Sequence, residues 1–327
     1  MRIVYWARLA LARAAIIERL QGLPGCDLVV ADSLDATVAA LPGADGLVLY
    51  DAPRAEAQRI VDAINAPGSR LRWMHFVTAG RDGFDAVGLP PRPAISYAAG
   101  AVAPTVAEHA FALLLALGRR VPDMLVQSAT HRWDRAPATR TVSLEGRTMA
   151  LIGTGHIGIQ MAIRAKAFGM HTVGLSRGAR SGAGLDESLP LAQLHAVLAR
   201  SDVIVAAVAL TPTTRHLLGR DAFAACKPGA LLINVARGAV VDPAALCEAL
   251  HAGRLGGAGV DVTDPEPLPP DDPLWDCPNV LISPHLGGSG SAASIVRLAD
   301  GVLHNLQRLQ AGQPLQGLVQ PGNGDGG

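Results

Sequence analysis

The chain has 327 residues and a formal net charge of zero, with 28 basic and 28 acidic residues. At roughly 150 residues per domain, this length allows about two domains, and two domains imply a cleft between them. The balanced charge shows no excess of basic residues that would bind nucleic acid or an anionic membrane, so a small molecule is the expected partner.

The cysteines and the apolar segments indicate a cytoplasmic protein. The most apolar stretch, AFALLLALG at 110–118, is far shorter than the roughly 20 residues that cross a bilayer, so it predicts a buried helix of a soluble protein. The N-terminal segment is interrupted by charges and shows no signal-peptide cleavage site. The cysteines are widely spaced and form no CxxC pair, which predicts reduced thiols and no metal site: Cys26, Cys226, Cys247 and Cys277.

From its first residue the chain alternates short apolar runs with helix-like segments, in the order RIVYW, LALARAAIIERL, DLVVA, ATVAALPG and GLVLY. This βαβ rhythm predicts a parallel sheet with helices on both faces. The rhythm continues through RLRWMHFVTAG and stops near the proline-rich segment 88–96. A domain boundary is therefore predicted close to residue 100.

The next segments are predicted to be a helix and an irregular arm. The helix spans 105–120 and is capped by Thr105, with Glu108 three residues later as in a capping box. The arm, 121–143, contains Trp133, which is interpreted as a packing residue rather than a substrate contact.

A second βαβ series begins at residue 147. Its strands are nearly continuous apolar runs, as in a parallel sheet buried on both faces: RTMALIG, HTVGLSR, DVIVAAV, ALLINVA, GGAGVDV and NVLISPH. The final helix, SAASIVRLADGVLHNLQRLQ, is predicted to return the chain to the first domain, and residues 320–327 are predicted to be disordered. The fold class is therefore α/β, with two Rossmann-like parallel-sheet domains, one of residues 1–98 with 290–327 and one of residues 99–289.

The motif GTGHIG lies between the strand MALI and a helix that Gly169 closes. In this context its glycines allow a tight turn, close approach of the backbone to a pyrophosphate, and close packing of the helix on the strand. The phosphates would lie at the helix N-terminus. The motif predicts a dinucleotide site, with an ordinary strand-to-helix turn as the alternative. The predicted cofactor contacts come from the whole loop: Gly153, Thr154, Gly155, His156, Ile157 and Gly158.

The end of the next strand indicates which dinucleotide is bound. An acidic residue about 20 positions after the glycines would hold the ribose 2′-hydroxyl of NAD. Here the strand HTVGL is followed by Ser176, Arg177 and Arg180, and the next acid is Asp186. A hydroxyl and two guanidinium groups can bind a 2′-phosphate, so NADP(H) is predicted to be preferred over NAD(H), with a solvated basic loop as the alternative.

Three later segments each place polar or charged side chains just past the end of an apolar strand, where ligands of open α/β sheets bind. They are NVARG with Arg237, DVTDPEPL with Asp261 and Glu266, and SPHLGG with His285. Taken singly, these side chains could be a surface ion pair, a helix cap or loop charge, and a satisfied loop histidine. Together, beside a dinucleotide loop, they predict an active site.

Five motifs resemble the NAD(P)-dependent D-2-hydroxyacid dehydrogenase family, and in particular glyoxylate/hydroxypyruvate reductases, in order and in spacing. They are GTGHIG, LTPTTRHLL, CKPGALLINVARGAVVDPAAL, GAGVDVTDPEPLP and NVLISPHLGG. The match covers most of 98–290 and extends upstream through VAEHAFALLLALGRR, whereas the first hundred residues match only loosely, through HFVTAGRDGFD. The resemblance implies an oxidoreductase that transfers hydride reversibly between NAD(P)H and a small 2-oxo acid.

The resemblance also implies a role for each catalytic residue. Arg237 would hold the 2-oxo acid by its carboxylate and carbonyl oxygen, and His285 would be the general acid and base. Glu266 would pair with His285 and favour its protonated form, because an opposite charge lies close by. Ser-Pro ends the strand so that the imidazole projects into the cleft, and Gly287 and Gly288 would let the backbone pass close to the cofactor.

Further contacts are implied in both domains. Asp261 would bind the nicotinamide carboxamide and Thr211 would lie near the cofactor's ribose and phosphate, although both could instead be turn-forming residues. The remaining implied cofactor contacts are Val235, Ala236 and Gly288. The implied substrate contacts of the first domain are Thr78, Ala79 and Gly80, whose backbone amides would bind carboxylate, together with Tyr50 and Arg81.

The substrate and the class of protein stay open. Glyoxylate or hydroxypyruvate is expected, since an NADPH preference suits a reductase. A phosphite or phosphoglycerate enzyme stays possible, whereas formate dehydrogenases carry glutamine where this chain has Glu266. The alternative from another class is an NAD(P)-sensing binding protein that resembles transcriptional co-repressors, because these keep the Arg, Glu and His set. The helix 105–120 and the arm resemble the dimer-forming region of the family, so a homodimer is expected.

Overall fold

The computed structural model describes residues 1–319, and the predicted disordered tail at 320–327 lies outside the described residues. The chain forms two compact units, one of Met1–Val102 with residues 290–319 and one of Ala103–Ser289. Each unit has its own parallel sheet with helices beside it. The predicted α/β class with two Rossmann-like parallel sheets is confirmed.

The first unit alternates strands and helices. Its strands are β1 (Arg2–Trp6), β2 (Asp27–Ala31), β3 (Gly46–Leu49), β4 (Trp73–Phe76) and β5 (Ala94–Tyr97). Its helices are α1 (Arg13–Gln21), α2 (Leu34–Ala40), α3 (Arg54–Asn65), the single turn α4 (Asp82–Asp85) and, from the end of the chain, α11 (Ala292–Gln310). The strand order is β2-β1-β3-β4-β5, so the chain reverses its direction across the sheet between β1 and β3.

Both faces of this sheet are buried, because its strands are apolar on both sides. Ile3 of β1 packs in one cluster with Leu298 of α11. Its neighbour Val4 packs in a second cluster with Ile60 of α3. The alternation of side chains along a strand places adjacent residues in opposite cores. Helix α11 therefore completes the first unit from the far end of the sequence.

The second unit has a larger sheet. Its strands are β6 (Thr148–Ile152), β7 (His171–Ser176), β8 (Glu187–Pro190), β9 (Val203–Ala206), β10 (Ala230–Asn234), β11 (Leu255–Val260) and β12 (Val280–Ile282). Its helices are α5 (Ala103–Gly118), α6 (Val121–Ala129), α7 (His156–Ala167), α8 (Leu194–Leu198), α9 (Arg220–Ala225) and α10 (Pro243–His251). The strand order is β12-β11-β10-β9-β6-β7-β8. The order reverses between β6 and β9, so the loop after β6 lies at the switch point where such sheets bind dinucleotides.

Helix α5 begins earlier than the sequence predicts. Its first residue is Ala103, so Thr105 lies inside the first turn. The predicted capping box of Thr105 and Glu108 is therefore wrong. Pro104 explains the earlier start, because proline lacks an N–H that the first turn leaves unpaired and its φ already suits a helix.

The arm after α5 is more regular than predicted. It contains α6 and a 3-10 turn at Ala136–Arg140, and Pro122 and Asp123 in the first turn of α6 favour the start of a helix. The side chain of Trp133 is 96% exposed, so its interpretation as a packing residue within the chain is wrong. In the first unit, β5 forms inside the proline-rich region where the βαβ rhythm was predicted to stop. Within residues 1–319, no helix has the length and apolar character that a membrane span requires.

Candidate active site

The loop between β6 and α7 brings backbone atoms unusually close together. Gly153 has a φ of +102°, and a Cβ there would lie 2.3 Å from the carbonyl oxygen of Ala207. A Cβ on Gly158 would lie 2.0 Å from the carbonyl oxygen of Gly153. Only glycine fits at both positions. Because Gly155 is the N-cap of α7, no side chain caps the first N–H groups of the helix, and this geometry fits a pyrophosphate.

The end of β7 lies beside this glycine loop. The N–H of Gly153 donates a hydrogen bond to the carbonyl oxygen of Leu175, the residue before Ser176, at 2.8 Å. The Ser176 hydroxyl oxygen accepts the N–H of Arg180 at 3.1 Å. Arg177 and Arg180 are both exposed. The structure therefore brings the hydroxyl and both guanidinium groups into one short loop next to the dinucleotide motif.

The first carboxylate after β7 is held at the opposite end of that strand. Asp186 accepts the backbone N–H of Thr172 at 2.8 Å and the Nζ of Lys166 at 2.7 Å. The hydrogen bond from Lys166 and those from Thr172 lower the pKa of Asp186 to about 2. The intervening stretch, RGARSGAGL at 177–185, contains no acidic residue. No carboxylate of this loop is therefore near the end of β7.

Arg237 follows β10 in a loop that Asn234 organises. The side-chain oxygen of Asn234 accepts the N–H of Ala236 at 3.1 Å, and its amide donates to the carbonyl oxygen of Arg237 at 3.1 Å. Nη1 of Arg237 donates to the carbonyl oxygen of Ala236 at 2.8 Å. A Cβ on Gly238 would lie 2.0 Å from the carbonyl carbon of Thr263. The Arg237 loop thus packs against the segment that leads to Glu266.

His285 follows β12 and pairs with Glu266. Its Nδ1 lies 2.7 Å from Oε1 of Glu266, and the two side chains are 50% and 41% exposed. Its backbone N–H donates to the carbonyl oxygens of Asp261 and Ser283 at 2.9 and 3.0 Å. Because Glu266 accepts at Nδ1, Nε2 is the nitrogen that can exchange a proton with a ligand. An oriented, accessible imidazole is what general acid and base catalysis needs.

Asp261 lies directly after β11 and its carboxylate is buried. Oδ1 accepts the hydroxyl of Ser283 at 2.6 Å and the N–H of Leu286 at 2.8 Å, while Oδ2 accepts the N–H of Gly287 at 2.8 Å. A Cβ on Gly287 would lie 2.7 Å from Oδ2. The glycine at 287 is therefore required by its approach to Asp261, whereas the sequence predicted a close approach to a cofactor. Asp261 holds the His285 loop in place.

Thr211 lies in a turn after β9. The hydroxyl oxygen of Thr214 accepts the N–H of Thr211 at 2.7 Å and donates to the carbonyl oxygen of Ala209 at 2.7 Å. Thr211 is therefore part of a hydrogen-bonded turn, as the turn-forming alternative expected. Its contact with a cofactor stays a prediction. The other predicted cofactor contacts lie in the loops that carry Arg237 and His285: Val235, Ala236 and Gly288.

The substrate residues predicted in the first unit follow β3 and β4. Thr78, Ala79 and Gly80 form the loop after β4, and Ala79 is exposed. Tyr50, after β3, is only 1% exposed, and its hydroxyl donates to the carbonyl oxygen of Leu11. The hydroxyl of Tyr50 is thus engaged within the unit, and its contact with a substrate stays a prediction. Arg81 is 7% exposed and pairs with Asp85, Nε to Oδ1, at 2.9 Å.

Sequence reasoning missed several polar residues that shape these loops. Asn234 and Asp51 each end or follow an apolar strand run, and that position is the signal that could have indicated them. The Asp51 carboxylate accepts the N–H of Gly83 at 3.1 Å, and Arg8 donates to the carbonyl oxygen of Asp51 at 3.0 Å. Burial raises the pKa of Asp51. In the described part of the chain, no group of three or more His, Cys, Asp or Glu side chains is placed to hold a metal ion.

The sequence is similar to known dehydrogenases and reductases. Residues 111–287 match the family described as D-isomer specific 2-hydroxyacid dehydrogenase, NAD binding domain. Glyoxylate/hydroxypyruvate reductase B of Pectobacterium atrosepticum is 35% identical over 257 residues, which are 77% of this chain and 80% of that protein. D-3-phosphoglycerate dehydrogenase of Mycobacterium tuberculosis (strain ATCC 25618 / H37Rv) is 32% identical over 295 residues, 89% of this chain and 54% of that protein. The chain thus spans about half the length of the phosphoglycerate dehydrogenases that it matches.

Solved structures are similar over nearly the whole chain. A D-isomer specific 2-hydroxyacid dehydrogenase family protein from Aeromonas salmonicida has a TM-score of 0.83 and 31% identity, with 98% of each chain covered. An NADPH-dependent glyoxylate/hydroxypyruvate reductase from Sinorhizobium meliloti, in complex with NADP and sulfate, has a TM-score of 0.81 and 25% identity, with 99% of each chain covered.

Proposed function

Since the chain belongs to the D-isomer specific 2-hydroxyacid dehydrogenase family, we propose that it is an oxidoreductase that interconverts a small 2-oxo acid and the D-2-hydroxy acid, with NAD(P)H as hydride donor. The observation that carries this proposal is the His285 and Glu266 pair, 2.7 Å between Nδ1 and Oε1. Asp261 fixes the loop of this pair in the unit that also contains the glycine loop. An oriented acid–base group and a dinucleotide loop in one unit suit carbonyl reduction.

The chemistry divides among three side chains. The planar guanidinium of Arg237 would bind the carboxylate and the carbonyl oxygen of the substrate and stabilise charge that develops on that oxygen. A bound nicotinamide supplies the hydride. His285, held at Nδ1 by Glu266, would donate a proton from Nε2 to the carbonyl oxygen during reduction and accept it during oxidation. Glu266 would fix the orientation of the imidazole ring by accepting at Nδ1.

NADP(H) is the proposed cofactor, with NAD(H) as a possible substitute. The loop 177–185 has no acid that would repel a 2′-phosphate, and it exposes Arg177 and Arg180 beside Ser176. Asp186, the next carboxylate, is engaged by Lys166 and Thr172. The similarity to an NADPH-dependent reductase in complex with NADP supports the same choice.

Glyoxylate or hydroxypyruvate is the proposed substrate. The names of two similar proteins, from Pectobacterium atrosepticum and Sinorhizobium meliloti, support this class. In this proposal, residues 1–98 with 290–327 form the substrate domain, and residues 99–289 form the dinucleotide domain. The backbone amides of Thr78, Ala79 and Gly80 would bind the substrate carboxylate.

The experiment follows the reduced-nicotinamide absorbance of the purified protein with NADPH or NADH and a panel of 2-oxo acids, headed by glyoxylate, hydroxypyruvate and phenylpyruvate. Consumption of NADPH with glyoxylate or hydroxypyruvate, faster than of NADH, is the expected result. A matched reaction without oxo acid controls for slow cofactor decay. Binding of both cofactors without turnover of any oxo acid would contradict the proposal and favour the NAD(P)-sensing binding protein.

A further inference from the structure

We propose that His109 and Ser283 are positioning residues that fix the Asp261 carboxylate under the loop of His285 and so hold the general acid in place. The kinetic part of this inference rests on the proposed function. The structural part concerns only how the loop is held, and it can be tested without turnover.

Three separate segments converge on the Asp261 carboxylate. His109 comes from α5, Asp261 follows β11 and Ser283 follows β12. Nε2 of His109 lies 2.8 Å from Oγ of Ser283 and 3.2 Å from Oδ1 of Asp261, and the Ser283 hydroxyl lies 2.6 Å from the same Oδ1. Only 4% of the Asp261 side chain and 23% of the His109 side chain are exposed. The cluster is therefore compact and largely shielded from water.

The proton positions follow from the acceptor. An ionised carboxylate only accepts, so Ser283 must donate its hydroxyl hydrogen to Asp261. The Ser283 oxygen is then left with lone pairs, so His109 must carry a hydrogen on Nε2 and donate it to the serine oxygen. The hydrogen bonds thus form a chain in which His109 donates to Ser283 and Ser283 donates to the buried Oδ1 of Asp261. Hydrogen bonds to an ionised group are stronger than those between neutral groups.

The same carboxylate holds the backbone of the catalytic loop. Leu286 and Gly287 donate their N–H groups to it, each at 2.8 Å, and the N–H of His285 donates to the Asp261 carbonyl oxygen at 2.9 Å. His285 has a φ of +54°, a backbone conformation that persists in a residue with a side chain only where its surroundings enforce it. The N–H groups of Leu286 and Gly287 thus depend on the placement of the Asp261 carboxylate, and in this proposal that placement depends on His109 and Ser283.

The sequence of α5 makes the presence of a histidine informative. The side of α5 that is buried in its unit is otherwise apolar, with Val106, Ala110 and Leu113 among its buried residues. An apolar residue at position 109 would supply no donor to the cluster. The hydrogen bond to Ser283 therefore accounts for a polar residue on this side of α5.

The test compares variants that differ only in a donor. His109→Leu removes the Nε2 donor, whereas His109→Gln keeps a side-chain N–H. Ser283→Ala removes the hydroxyl, whereas Ser283→Thr keeps it. His304→Leu, at an exposed position of α11, makes the same chemical change as His109→Leu away from the cluster. For each protein we would measure amide hydrogen exchange resolved at residues 283–288, kcat with saturating NADPH and oxo acid, NADPH affinity and the Tm.

In His109→Leu and Ser283→Ala, we expect exchange at Leu286 and Gly287 to rise about tenfold and kcat to fall about tenfold, the scale of one lost hydrogen bond to a charged group. NADPH affinity should change less than kcat, because the glycine loop after β6 and the loop after β7 keep their geometry. The Gln and Thr variants should recover most of both losses, and His304→Leu should change neither. Gln and Thr differ in shape from the native side chains but keep a donor. If the two positions mattered only for packing, these variants would not recover the losses.

The outcomes separate this inference from the proposed function. Faster exchange confined to residues 283–288, in a protein that reduces no oxo acid, would support the positioning role and contradict the proposed function. Wild-type exchange at Leu286 and Gly287 in both donor-deleted variants would overturn the positioning role even if the protein is an active reductase. Equal losses in His109→Gln and His109→Leu would also overturn it.

Discussion

At the residue scale, His285 is constrained at both its ring and its backbone, and its removal gives the most direct prediction. His285→Ala should lower kcat at least about 100-fold, the usual scale of general acid catalysis. NADPH affinity should be largely kept, because the glycine loop after β6 makes no use of the imidazole. Steady-state kinetics and a fluorescence titration with NADPH measure the two quantities.

Glu266→Gln is the matched control for that variant. In the native protein Nδ1 of His285 lies 2.7 Å from Oε1 of Glu266. The variant keeps a side-chain oxygen that can accept from Nδ1 and removes only the carboxylate charge. Its loss of kcat should therefore be smaller than that of His285→Ala. If His285→Ala retained turnover within a few-fold of the wild type, His285 would have no role as the acid.

A second prediction at this scale concerns His75, which no part of the proposed mechanism uses. His75 lies on β4, fully buried, and its Nδ1 lies 2.8 Å from Oγ of Ser96. Among the described residues its Nε2 has no hydrogen-bond partner. Burial lowers the pKa of His75 from 6.5 to about 3. The folded protein therefore keeps this imidazole neutral at a pH where the unfolded chain binds a proton.

The sign of the pH dependence follows from that difference. Above pH 6.5 neither state is protonated at His75, so the residue adds no pH dependence there. As the pH falls from 6.5 towards 3, proton uptake by the unfolded chain should lower the free energy of unfolding by about 1.4 kcal/mol per pH unit. His75→Leu should be less stable at pH 7, because Ser96 loses a partner, but should lack this slope. Denaturant unfolding across that range measures both, and parallel curves for the two proteins would contradict the prediction.

At the scale of elements, the loop after β7 carries the choice of cofactor. Arg177→Ala should weaken NADPH binding about tenfold and leave NADH binding nearly unchanged, because only NADPH presents a 2′-phosphate to a guanidinium. Arg164→Ala is a control on α7, since Nη1 of that arginine bonds the side chain of Gln160 on its own helix. Isothermal titration with both cofactors gives the two affinities. An equal loss for NADPH and NADH would remove the 2′-phosphate role from Arg177.

Elements could be predicted from the sequence where burial imposes a pattern. The central strands of the second sheet, such as β9 and β10, are apolar on both faces, and that run of residues indicates them directly. The strand β8 escaped prediction because none of its four residues is fully buried and its sequence, ESLP, is not an apolar run. The strand β5 is largely buried, but it begins within the proline-rich segment 88–96 that was interpreted as a domain boundary. Helix α6 was missed for a related reason, since it buries no residue in the unit and shows no apolar face turned inward.

The site shows the same limit of sequence reasoning. Arg237, Glu266 and His285 follow strands of the same parallel sheet, so their residue types and positions were enough to suggest a common site. The cluster of His109, Ser283 and Asp261 could not be predicted, because its members are brought together only when α5 packs beside β11 and β12. A histidine within an apolar helix was visible in the sequence, but its partners were not.

At the scale of the whole molecule, the two sheets share a feature of topology. In each sheet the first strand in the sequence is an inner strand, and the strand order reverses beside it. In the first unit the reversal lies between β1 and β3, and in the second between β6 and β9. Arg8 and Asp51 follow the strands at the first reversal, and the glycine loop follows a strand at the second. Polar side chains in the first unit and a glycine-rich loop in the second thus lie at the switch points, where open parallel sheets bind ligands.

The surface of the second unit leads to the last prediction, that the protein forms a homodimer through α6 and the arm after it. Helix α5 cannot serve as the interface by itself, because most of its apolar residues are buried within the unit. Four large apolar side chains of the next segment remain exposed, by 48%, 65%, 64% and 96%: Met124, Leu125, Val126 and Trp133. These four residues lie within one segment of ten residues, and apolar surface left exposed marks an interaction site where it is contiguous.

Leu125→Glu should shift the protein from dimer to monomer in sedimentation velocity at micromolar concentration, because a charge buried in an apolar interface lacks a partner. NADPH binding should be kept, since the glycine loop after β6 belongs to a different part of the unit. Leu318→Glu is the matched control, because Leu318 is 49% exposed in the other unit. A wild-type monomer, or a Leu125→Glu protein that stays dimeric, would contradict this interface. The exposed apolar side chains of α6 and Trp133 would then have to be explained by a different partner, because the chain itself buries no residue of α6.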